Sequence, residues 1–233
     1  MKNYLQLVCA ACLTALIAAC GGGGGSGGAP VPVTSTDIFQ VKTAYVNYFN
    51  DSRSLPFTIS GTISGFSVSG SGTLTQSGVT AGNFEGSPVL QKVSTVTASV
   101  LVNGTPLNTA ESATAYVDSN YVPKGSSNGE YRVIGNAINI PYTAKVNDTG
   151  VWYSENIYLA SDKASFLGTS VTSFVMMPDT ASTAILKIIQ TDKDTFGNVT
   201  TISTIIFRMT PAGELTRLSE TGVESDMTLT FTY

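Results

Sequence analysis

The chain has 233 residues and a formal net charge of −4; 42% of it is hydrophobic and only 12% charged. That length supplies one domain with a proper core, while the lack of any Lys/Arg block argues against nucleic acid or a polybasic membrane patch as partner. There is no histidine, and all three cysteines (Cys9, Cys12, Cys20) fall within the first twenty residues. The rest of the chain therefore has no disulfide, no thiol nucleophile, no His/Cys zinc site and no His general base, and no metal or cofactor is expected.

Lys2 opens the sequence with a positive charge, and Leu5 to Ala19 form an apolar run of signal-peptide length, short for a membrane span. The run ends Ile17-Ala18-Ala19-Cys20. An aliphatic residue, two small residues and a cysteine in that order resemble the lipobox of bacterial lipoproteins. The resemblance covers residues 1–20 only. It implies that 1–19 is a removable signal peptide, that Cys20 carries the lipid (a diacylglyceryl thioether plus an acyl chain such as palmitate), and that the membrane is a partner through that anchor. Because residue 21 is Gly rather than Asp, the sorting rule of that family implies the outer membrane, on either its periplasmic or its surface side. Residues 20–36 read as the lipidated Cys and a tether: Gly21 to Gly28 is unstructured by composition, and Ala29-Pro30-Val31-Pro32 is stiffer and extended.

Residues 37–233 read as a single antiparallel β-domain with an N-terminal helix. Over Thr34 to Asn50, Ile38, Val41, Tyr45 and Tyr48 recur every three to four residues, Phe49 widens the stripe, and Thr34, Ser35, Thr36 and Asp37 offer an N-cap. From Leu55 the period drops to two. Phe57, Ile59, Gly61 and Ile63 alternate with Thr and Ser, the phase flips across Ser64-Gly65, and Phe66, Val68, Gly70, Gly72 and Leu74 continue. A two-residue hairpin turn keeps both apolar sets on one face and leaves a hydroxyl ladder on the other. Val89 to Val102 predicts a strand ending at Asn103-Gly104, a strong hairpin signal, and Leu107 to Val117 returns towards a turn at Asp118-Ser119-Asn120. Further strands are expected at 138–146, 151–160, 165–177, 183–191, 199–209 and 226–233. The total is ten to twelve, forming an all-β meander as a curved sheet or open barrel around or beside the helix. An architecture of that kind resembles carrier and sensor lipoproteins in which a bent sheet wraps a helix. The last strand, Met227 to Tyr233, resembles the terminal strand of outer-membrane barrels, but Gly61, Gly70 and Gly72 leave the early strands thin in lipid-facing bulk, which favours the last strand of a soluble sheet.

Three stretches hold candidate chemistry. Asp192 to Asn198 (DKDTFGN) has Asp192, Asp194 and Gly197 where a calcium loop wants them, but Phe196 and Ser203 occupy two ligand positions; it reads as a polar hairpin turn. Glu130, Asp148, Glu155, Asp162, Glu214, Glu220 and Glu224 are the available acid/base groups. A hydrolase needs two of them across a cleft, whereas charges along sheet edges read as guards against strand pairing. In Val151 to Ala160, alternation puts Val151, Tyr153, Ile157 and Leu159 on one face, and Trp152 and Tyr158 on the other as ligand-facing aromatics. The leading expectation is a non-catalytic binding or envelope-structural module, with no catalytic residue. A carrier or sensor for a lipid or other apolar small molecule comes second, and a carboxylate-dependent hydrolase third. Envelope proteins remain candidate partners.

Overall fold

The computed structural model describes residues 34–136 and 140–233; the signal peptide, Cys20 and most of the tether lie outside the described residues. Thirteen strands and one helix are found among the described residues: α1 (Val41–Asn50), β1 (Arg53–Ile63), β2 (Phe66–Gln76), β3 (Thr80–Phe84), β4 (Ser87–Val102), β5 (Thr105–Val117), β6 (Pro123–Ser127), β7 (Tyr131–Ile134), β8 (Thr149–Tyr158), β9 (Phe166–Pro178), β10 (Ala184–Asp194), β11 (Val199–Met209), β12 (Leu215–Glu224) and β13 (Met227–Thr232). Each strand pairs antiparallel with its neighbours. β1 pairs with both β2 and β13, and β2 with β4, so twelve strands close into a barrel. β3 stays outside the ring, on the first residues of β4.

Local chemistry explains the closure. Ser64 (φ 49°) and Gly65 (φ 80°), and likewise Asn103 (φ 49°) and Gly104 (φ 81°), hold the left-handed conformations of a tight hairpin turn. Ile63 therefore faces Phe66, and Gly61 faces Val68, in register. On the β13-β1-β2-β4 wall the inner row is Leu229 and Phe231, Phe57 and Ile59, Val68 and Leu74, and Val96 to Val100. The outer row pairs Thr58 with Ser71 and Thr232, and Ser60 with Ser69 and Thr230. Apolar inside and hydroxyl outside on this wall is the reverse of what a lipid-spanning barrel presents.

Two glycines allow this wall to bend sharply. A Cβ on Gly61 (φ 152°) would lie 2.0 Å from the Thr228 carbonyl oxygen, and one on Gly72 would lie 2.3 Å from that of Thr97 and 2.6 Å from the Phe57 ring. Neighbouring backbones and the Phe57 ring occupy the space where side chains would stand.

The helix is shorter than its sequence pattern. Phe39 makes a two-hydrogen-bond bridge with Ala144, so α1 starts only at Val41 and has no side-chain cap. Ser35 and Asp37 bond to each other instead of capping it, and Ile38 is half exposed. Carbonyls outside the helix take up N–H groups at its start: Gln40, the cap residue, donates to Pro211, Val41 to Phe39 and Lys42 to Tyr142. The strand expected at 138–146 is likewise corrected. Residues 137–139 lie outside the description, and the remainder is loop apart from the Ala144 bridge.

Candidate functional site

The barrel has two ends of opposite character. Hairpin connections alternate between them along an up-and-down barrel. The loops that bond α1 (118–122, 140–148 and 210–214) lie at one end, and the tight turns at 64–65, 103–104 and 225–226 lie at the other. At the first end, α1 plugs the barrel. Val41, Ala44 and Phe49 are buried, Tyr48 packs edge-on against Phe207 at 5.2 Å, and Tyr45 against Trp152 at 6.4 Å. Lys92, buried on β4, donates to the Tyr48 and Asp51 carbonyls at 2.7 Å each, placing a cation on the helix C-terminus. Burial, with Arg53 nearby, lowers its pKa to about 8.

Below the plug the interior is charged. Arg132 on β7 donates to both carboxylate oxygens of Asp192 on β10, at 2.7 and 3.2 Å, and to Glu130 at 2.8 Å. Gln190 donates to Asp192 as well. Glu155 on β8 is buried near this cluster and keeps one carboxylate oxygen without a hydrogen-bond partner; burial lifts its pKa to about 7 against the pull of Arg132. A second guanidinium, Arg217 on β12, bonds to Glu220 and to the Tyr48 hydroxyl, and burial lifts Glu220 to about 7 also. A small cavity of about 120 Å³ lies between the helix and this layer, bordered by Tyr45, Trp152, Glu155 and Arg217.

The other end is open and greasy. A cavity of about 490 Å³ lies in the curl of β13, β1, β2, β4 and β5, walled by Ile59, Val68, Val100, Val102, Leu107 and Leu229, with Phe66 at the rim. Phe66 is 51% and Leu107 39% exposed. No side chain lining it is charged, and its polar residues are confined to Ser64, Asn103, Thr105 and Thr109. β5 makes the opening: its second half pairs with β6 only over Thr114–Val117, leaving Thr105–Ala113 laddered to β4 alone.

No family model, curated protein or solved structure matches this chain. The site therefore rests on its own geometry. Trp152 and Tyr158 are not brought together. A register shift between Val151 and Tyr153 turns Trp152 inward, 4% exposed against Phe174 and bordering the small cavity. Tyr158 packs against Phe166 at the β8–β9 hairpin and borders neither cavity. Val151, before the first shift, and Leu159, past a second shift at Ile157/Tyr158 and the end of β8, are exposed, where simple alternation buried them. Among the carboxylates, Glu155 and Glu220 are interior groups rather than edge guards. In DKDTFGN, Asp194 accepts from the Phe196 and Asn198 N–H groups and makes the turn, while Asp192 faces inward to Arg132. Sequence reasoning singled out neither Arg132 nor Arg217. The lining of the large cavity was visible only as one alternating apolar row.

Proposed function

We propose that this chain is a lipid-anchored, non-catalytic envelope protein of the carrier or sensor kind, which holds an apolar small molecule in the mouth of its barrel. The observation that carries the reading is the 490 Å³ cavity with its uncharged wall, within the size range of small-molecule sites and lined as they are. That cavity raises the carrier reading above a purely structural role. The converging acids do not favour hydrolysis, because buried Asp192 and the part-exposed Glu130 of the β6–β7 turn are both bound to Arg132 rather than facing each other across a cleft. Cys20 at the end of the lipobox-like run supports the anchor, and Gly21 supports the outer membrane.

The described domain closes its own barrel and core, so residues 34–233 are expressed alone and titrated with an environment-sensitive naphthylamine dye. Saturable enhancement with one site per chain is expected. Val102→Trp, placed in the cavity wall, abolishes it while leaving the melting temperature unchanged. Enhancement that is absent, or unaffected by Val102→Trp, refutes the reading.

A further inference from the structure

Charge at the mouth narrows the ligand, and this step rests on the proposed function. At about 30 Å³ per water-sized unit, the cavity has room for on the order of fifteen methylene-sized units. Its walls are aliphatic, with Phe66 the lone aromatic lining residue. A flexible alkyl chain fits such a wall; a stacked ring system finds few flat partners.

The head group of such a chain must sit at the rim, since nothing in the wall can take a charge or more than a few hydrogen bonds. The ionisable groups around that rim are acids. Asp226 accepts from the Ser64 hydroxyl, and Ser64 itself lines the cavity. Glu224, at the end of the same hairpin, lies within the fields of both Asp226 and Glu130. Glu111 follows Leu107 and Thr109 in the same alternate row of β5. The cations are committed elsewhere: Lys163 to Glu85, Arg132 to Asp192 and Glu130, Lys92 to the helix end. Lys193, the other basic residue at this end, lies on the row of β10 that alternates with the inward Gln190 and Asp192 and is exposed. An anionic head would enter a field of its own sign with no partner for its oxygens, a cost in both repulsion and lost hydration.

We infer that the mouth selects single-chain amphiphiles with an uncharged or cationic head and discriminates against fatty-acid anions.

The test displaces the bound dye from residues 34–233 with dodecanol, dodecyltrimethylammonium and dodecanoate, each below its micellar concentration, at pH 8. The expected result is displacement by the alcohol and the ammonium at concentrations at least tenfold below that of the carboxylate. The double variant Glu224→Gln/Asp226→Asn should narrow that gap, because the Asp226→Asn change keeps a carbonyl acceptor for Ser64 while removing the charge. Equal or better displacement by dodecanoate, or a gap unmoved by the double variant, overturns the head-group selection and leaves the cavity reading standing. Failure of all three chains to displace the dye overturns both.

Discussion

Glu155→Gln isolates one consequence of the buried charge layer. The Glu155 carboxyl is buried and its pKa rises to about 7 from the usual 4.5. A raised acid binds its proton more tightly in the folded state, so its contribution is complete below the unfolded value and is lost as pH climbs through the folded one. A shift of this size at about 1.36 kcal/mol per unit amounts to about 3 kcal/mol, of which on the order of 2 kcal/mol disappears between pH 5 and pH 8. Glutamine reproduces the neutral carboxyl in size and cannot ionise. Urea unfolding of the wild-type domain should therefore show stability falling over that interval. Glu155→Gln should keep about 2 kcal/mol more than wild type at pH 8 and differ little at pH 5. Parallel pH profiles for the two proteins would refute the reasoning, since they would mean that Arg132 keeps Glu155 ionised in the fold.

Glu220→Gln, beside Arg217, should flatten the same pH profile, as read by the midpoint of urea unfolding at pH 5 and pH 8. Asp192→Ala leaves Arg132 buried with Glu130 as its remaining direct partner and should cost about 3–5 kcal/mol in urea unfolding; a loss under about 1 kcal/mol would show that water reaches the guanidinium. Gly72→Ala drives a methyl into Thr97 and Phe57 and should lower the melting temperature by several degrees or prevent folding. Gly78→Ala, with open space around its Cβ, should leave it within a degree or two. Cys20→Ala should abolish labelling by radioactive palmitate and release the full chain from membranes; continued labelling would exclude the lipid anchor.

Period-two alternation in β1, β2 and the second half of β4 was readable because most inward residues there are apolar and most outward ones polar, and the Ser64-Gly65 and Asn103-Gly104 turns then fixed the register. β11 matches its expected 199–209 limits because the turns at Gly197-Asn198 and Pro211-Ala212-Gly213 bound it. Alternation fails where the interior is polar. β12 turns Arg217, Glu220 and Gly222 inward, so its pattern carries no apolar row, and β6 (PKGSS) and β7 (YRVI) are too short to show a period. The inward turn of Trp152 was hidden because the one-residue irregularity at Val151–Tyr153 puts Trp152 and Tyr153 on the same side, where strict alternation separates them. The charged layer was hidden because acids and arginines are expected at the surface unless paired, and their partners here lie 60 residues apart in sequence for Arg132 and Asp192. The cavity depended on closure, which no local pattern encodes.

The polypeptide enters the barrel at the plugged end, where Phe39 bridges Ala144, and the alkyl-lined mouth lies at the other. On the proposed anchor at Cys20, the tether joins the domain on its helix-plugged side, and the opening lies on the side away from that junction. Under that proposal, a ligand would reach the mouth from the side opposite the chain's point of attachment, and the plug would separate the ligand path from the tether.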